Sequence, residues 1–137
     1  MTFMLDRLHL FAALIYAVLG LGLGIYMAAS HNHSQTVAHA HLLLVGFVLS
    51  FIYAVIMRLW LYEPPRILCV LQFVGHHLGT IVLVSGLLLL YGGVLPMDTL
   101  EPWLASSSLL VLSALAVMCV MVCRRQVVAL PPLEGEA

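Results

Sequence analysis

Four apolar stretches, at roughly residues 8–29, 37–60, 67–91 and 102–123, contain no acidic residue, and each meets or slightly exceeds the roughly 20 residues a helix needs to cross a bilayer core. Backbone crossing hydrocarbon must satisfy its own hydrogen bonds, which leaves a helix or a closed barrel. A barrel needs alternating polar and apolar positions, and the run from Val82 to Tyr91 does not alternate. The expected fold is therefore all-α: a polytopic transmembrane four-helix bundle forming a single integral membrane domain over residues 1–137. With 137 residues, 64% of them apolar and 8% charged, the chain has room for four such spans and short links, and none for a separate soluble catalytic domain. A net charge of -1 and the absence of any basic run exclude nucleic acid as a partner.

The arginines set an expected orientation. Arg7 precedes the first span, Arg58 and Arg66 bracket the second link, and Arg124 and Arg125 follow the fourth span. The links at residues 30–36 and 92–101 hold no basic residue, so the positive-inside rule places both termini in the cytoplasm. Tyr26, Trp60, Tyr62, Tyr91 and Trp103 lie near span ends, as interfacial anchors do. The apolar part of the first span is longer than a signal-peptide core and is read as a true span. Within it, Gly20 and Gly24 form a G-x-x-x-G pair that permits close approach of another helix, a pattern also common by chance. Cys69, Cys119 and Cys123 fall near the cytoplasmic ends and are read as reduced, buried, small apolar residues, with lipidation of Cys119 or Cys123 as the alternative. No C-x-x-C-H motif is present for covalent haem attachment.

Seven histidines accompany five arginines and no lysine, and their placement carries the functional information. His9 falls near the inner interface, and His31 and His33 lie in the outer link. His39, His41, His76 and His77 fall inside the second and third spans. An unpaired polar ring in hydrocarbon costs a few kcal/mol, so intramembrane histidines are functional candidates by default. Interhelical hydrogen bonding accounts for one such residue well and for four poorly. On a helix, positions two apart diverge by about 200°, so His39 and His41 serve different neighbours rather than one ion. His76 and His77 diverge by about 100°. Gly46 follows His39 by seven residues on nearly the same face, and Gly79 follows His76 by three; each missing side chain leaves room for a flat macrocycle.

Zinc would need grouped histidine, cysteine or carboxylate ligands, yet Asp6, Glu63, Asp98, Glu101, Glu134 and Glu136 all lie at span ends or outside them. Haem b needs only one or two axial histidines in an apolar pocket, which a helix bundle supplies. His31 and His33 are either solvated loop residues or a pair able to bind copper or haem propionates.

The run from Leu19 to Ser30, His31-Asn32-His33, the stretch from Ala38 to Phe47 with its His39-Ala40-His41 core, and Phe73 to Gly79 with its His76-His77 pair together resemble short bacterial membrane proteins related to the haem-copper oxidase catalytic subunit. The likeness covers the first three spans; the fourth is only generically apolar. That subunit has twelve spans in three arcs of four, so the resemblance implies that this chain is one arc, assembling as a homotrimer in the bacterial inner membrane. It implies that His39 and His41 serve two haems, as a His-x-His does there, and that His76 and His77 are similar in type to a copper-ligating pair. Counting inward from the outer end at about 1.5 Å per residue, His41 lies about 6 Å deep and His77 about 21 Å deep, so one iron would not readily join them within a protomer. Haem held between protomers by His39 and His41 is the favoured arrangement, with His76 as the competing axial ligand.

Two departures bear on catalysis. Oxygen-reducing members of that family carry a tyrosine four residues after a copper-ligand histidine, where this chain has Val45, Thr80 and Ile81. The intramembrane carboxylates of nitric oxide reductases and proton-pumping members are also lacking. The expected function is a membrane b-type cytochrome in electron transfer, with a quinol or a soluble cytochrome as redox partner. The alternatives are a minimal haem-copper oxygen or nitric oxide reductase, and a haem-free copper-binding or assembly protein.

Overall fold

The computed structural model describes residues 2–61 and 64–124; Tyr62, Glu63, Arg125, Glu134 and Glu136 lie outside the described residues. The chain forms four long helices: α1 (Thr2–Ser30), α2 (Thr36–Leu59), α3 (Arg66–Tyr91) and α4 (Met97–Cys123). Each is long and apolar enough to cross a membrane. Tyr26, Trp60, Tyr91 and Trp103 project from the bundle near helix ends. Arg7, Arg58, Arg66 and Arg124 gather at one end, the arginine end; the links at residues 31–35 and 92–96 form the other, the link end.

Two helices begin earlier than the hydropathy pattern suggested. α1 starts at Thr2 rather than near residue 8, which carries His9 two turns into the helix, where its side chain is buried inside the bundle. α4 starts at Met97, after Pro96, rather than at Pro102. Pro102 sits inside the helix and removes one bond of the first turns, where a carbonyl at the link end can still find solvent. Asp98 in the first turn complements the helix dipole.

α2 is not uniform. Its first segment, Thr36–His41, is α-helical, Leu42–Leu49 is π-helical, and Ser50–Leu59 is α-helical again. The wider i→i+5 turn resets the helical register of everything beyond it, and with it the direction in which Ser50 and Tyr53 leave the helix. No feature of the apolar run Leu42–Leu49 announces that change.

Small residues determine how closely the helices approach. On α3, Gly75 and Gly79 lie one turn apart against α4: a Cβ on Gly79 would meet Val111 Cγ2 at 2.8 Å and the Ser107 carbonyl at 3.0 Å. The room expected beside His76 is thus taken by α4. On α1, a Cβ on Gly20 would run into the Leu43 side chain, and one on Gly24 would meet His39 Cε1 at 3.0 Å, so the G-x-x-x-G pair serves α1 against α2 within the chain. Gly46 is likewise closed within the chain, by Tyr16 Cγ at 2.9 Å from a Cβ placed there.

Around these contacts lie three apolar clusters. Tyr53, Met57, Cys69, Met118 and Met121 fill the arginine end. Tyr16, Leu42 and Val84 lie midway, and Ala38, Leu83 and Leu87 lie towards the link end. Cys69 is buried as expected, but Cys119 and Cys123 face outward from the bundle, because their positions on α4 fall off the stripe formed by Ala114, Met118 and Met121. At the link end, His31 takes a left-handed φ of 54° directly after Ser30, the conformation that ends a helix, and the Thr36 hydroxyl donates to the His33 carbonyl at 2.6 Å.

Candidate functional site

The interior of the bundle carries a cluster of polar side chains rather than an uninterrupted apolar core. His9 and Tyr16, seven residues apart, share one face of α1. Gln72, His76 and Thr80 stack at four-residue intervals on α3, with His77 turned about 100° from them. Ser50 and Tyr53 enter from α2, beyond its π-helical segment. All of these residues are buried, with His9, Ser50, Tyr53, Gln72, His76 and Thr80 at 0% exposure.

Four of them form a linear hydrogen-bonded chain. The Tyr16 hydroxyl donates to His77 Nδ1 at 3.1 Å, His77 Nε2–H donates to His9 Nδ1 at 3.1 Å, and His9 Nε2–H donates to Gln72 Oε1 at 2.9 Å. Each imidazole is neutral in this arrangement, giving from one nitrogen and receiving at the other. The tautomers follow from the orientation of the Gln72 amide; turning that amide over reverses every bond in the row. Beside the chain, the Ser50 hydroxyl and His76 Nε2 share a hydrogen bond at 2.8 Å, and the Thr80 hydroxyl donates to the His76 carbonyl at 2.8 Å. Phe73 closes the cluster, its ring centroid 4.4 Å from that of His77 and 4.8 Å from that of His9.

The histidines expected as ligands divide into separate groups. His76 and His77 join His9: the three ring centroids are 4.9, 4.9 and 6.0 Å apart. As their spacing requires, His76 faces Ser50 and Tyr53 of α2 while His77 faces His9 and Tyr16 of α1. His39 and His41 lie apart from that cluster near the link end and are half-buried. His39 Nδ1–H donates to the Gly20 carbonyl of α1 at 3.0 Å, whereas His41 Nδ1–H donates to the Val37 carbonyl of its own helix at 2.9 Å. Each Nδ1 is thereby committed as a donor, which leaves Nε2 as the lone-pair nitrogen, and neither Nε2 has a hydrogen-bond partner among the described residues. His31 and His33 are exposed on the link. Among the described residues, no group of three histidine, cysteine, aspartate or glutamate side chains is arranged to hold a metal ion.

His9, Tyr16, Ser50, Tyr53 and Gln72 were not singled out from sequence. His9 offered a signal, because it shares a helical face with Tyr16, but the late start assigned to the first span put it at an interface. Gln72 offered another as an amide within an apolar stretch. Ser50 and Tyr53 could not be placed without the π-helical register. Two tyrosines from other helices pack against the pair, Tyr16 beside His77 and Tyr53 beside His76.

No protein-family model, curated protein or solved structure matches the chain.

Proposed function

We propose that this chain is a bacterial inner-membrane b-type cytochrome that works as a homotrimer in electron transfer, with haem held between copies by His39 and His41. The observation that carries the reading is the state of those two imidazoles. A metal-ligating histidine characteristically gives its second ring N–H to a carbonyl or carboxylate, which fixes the tautomer and orients the ligating nitrogen. Both residues have that arrangement, and both are half-buried, available to a neighbouring copy at the same depth. His76 is enclosed by Tyr53 and His9, and His77 spends both nitrogens on His9 and Tyr16, so neither ring is offered to a macrocycle or a copper ion without breaking the buried cluster. The arginine distribution supports cytoplasmic termini. When bound, haem supplies a one-electron redox centre.

Haem held by one imidazole from each of two copies, His39 and His41, would be closed to exogenous ligands. Protein purified from haem-replete membranes and reduced is expected to show a Soret band that carbon monoxide does not shift. A shift would reveal an open coordination position and overturn the electron-transfer assignment in favour of the oxygen or nitric oxide reductase. The packing of His39 gives a finer test. Gly24→Val would push side-chain atoms into its ring, already 3.0 Å from a Cβ at that position, and is expected to weaken haem binding by roughly 10–100-fold in a titration, the effect of disturbing a ligand's orienting contacts.

A further inference from the structure

The Tyr16–His77–His9–Gln72 row plays no part in holding haem in the reading above. Buried polar groups can be justified by helix-to-helix hydrogen bonding alone, but this row has three features that such bonding does not require. Its two central members are imidazoles joined through opposite ring nitrogens, so each can receive a proton on one side and release one on the other. Cavities lie beyond both ends. One, an open groove of about 480 Å³, begins at Tyr16 and runs past Thr80 and Ser85 between mainly apolar side chains such as Leu19, Leu23 and Ile81; another of about 350 Å³ at the arginine end is lined by Asp6, Arg7 and Arg58 with Phe51, Val55 and Leu59. Around Gln72, the Gln72 Nε2, Tyr53 Oη and His76 Nδ1 atoms are buried without a hydrogen-bond partner, on residues that are each fully enclosed. Such a group of donors and acceptors is satisfied by bridging water.

The polar row and the groove that continues from it together have the length a membrane requires: Asp6 to Tyr16 on α1 is 10 residues, about 15 Å, and the groove follows α1 for another 10 residues. From Asp6 to Tyr26 on α1 is 20 residues, about 30 Å at 1.5 Å per residue, equal to the hydrocarbon thickness of a typical bilayer. We propose that Tyr16, His77, His9 and Gln72 form a transmembrane proton path, with protons exchanging with water through the cavity at Tyr16 and through the Asp6–Arg58 end.

The transfer balances without any oxidant or reductant. A proton from water at the Tyr16 cavity enters the phenol oxygen as the phenol O–H proton passes to His77 Nδ1. The His77 Nε2 proton passes to His9 Nδ1, and the His9 Nε2 proton leaves to water beside the Gln72 amide. One proton has entered and one has left, and both imidazoles are again neutral, in the opposite tautomer. Rotation of the Gln72 amide lets Nε2–H donate to His9 Nε2, so the reversed row is satisfied as well as the original one, and the next proton follows once the hydroxyl, rings and amide have turned back to the starting orientation.

The test is proton flux into liposomes carrying the purified full-length protein. An entrapped pH-sensitive dye reports internal pH, and a potassium gradient with valinomycin supplies the driving force. The wild type is expected to exceed protein-free vesicles, and the flux is expected to slow in deuterium oxide. Tyr16→Phe keeps the ring and removes only the hydroxyl; His77→Asn keeps a hydrogen-bonding side chain and removes the two-sided relay. Both are expected to fall to the protein-free level, while Ser107→Ala, which removes a buried hydroxyl on α4 away from the row, keeps wild-type flux. Should His77→Asn fail to yield a monodisperse helical protein, Tyr16→Phe decides. Wild-type flux equal to that of empty vesicles, or undiminished flux in Tyr16→Phe, would overturn the proposal. The outcome is independent of haem content, which is read from the same samples by absorbance.

Discussion

If haem is held as proposed, His39→Ala and His41→Ala are each expected to cost the purified protein most of its haem, whereas His77→Ala is expected to retain it. Loss of an axial ligand should exceed the roughly 10–100-fold affinity cost of disturbing its supporting contacts. Neither substitution unpairs a buried side chain, since each imidazole bonds only to a backbone carbonyl, at Gly20 and Val37. Folding should therefore survive, and haem per chain, measured by pyridine haemochrome against protein mass, reads the ligand role. His77→Ala breaks a buried row and is the more disruptive change to packing, so retention of haem there, beside its loss at His39 and His41, separates ligation from general damage. Normal haem in both second-span variants would remove the ligand assignment.

The second large effect is on stability. Gly79→Val places a Cβ 3.0 Å from the Ser107 carbonyl and 3.2 Å from the Val111 backbone nitrogen, and backbone, unlike the end of a flexible side chain, cannot step aside. α3 and α4 would have to separate along the face where Gly75, Gly79 and Gly86 meet Ala114, Val111 and Leu104. Overpacking of this kind costs about 1–3 kcal/mol, and the β-branched side chain adds to it. Gly22→Ala is the matched control: nothing lies within 4 Å of its Cβ, and replacing a mid-helix glycine by alanine gains helix propensity. Reversible unfolding in mixed detergent micelles should show Gly79→Val clearly below wild type and Gly22→Ala at or above it.

These contrasts show which levels of structure could be read from residues alone. Hydropathy and length were enough for the four helices, because a bilayer admits so few backbone solutions. The divergence of His39 from His41 and of His76 from His77 followed from helical geometry, and the bundle preserves it. Partners across helices were not legible. Gly46 and Gly79 were expected to leave open space, but whether a missing Cβ makes a pocket or a contact depends on what packs opposite, here Tyr16 and α4. His9 was underestimated because hydropathy marks where charge stops, not where a helix begins, and α1 extends back through Asp6 to Thr2. Asp6 itself is nearly buried, its carboxylate 3.7 Å from the half-exposed Arg58 guanidinium, a pairing between α1 and α2 that no single span reveals.

Native mass spectrometry of the detergent-purified, haem-replete protein tests most directly whether haem sits between copies of this chain, as proposed. The expected result is an oligomer, three chains in the proposed assembly, that carries haem and loses it on dissociation to single chains. A colourless particle with no haem mass, or haem retained by an isolated chain, would contradict it.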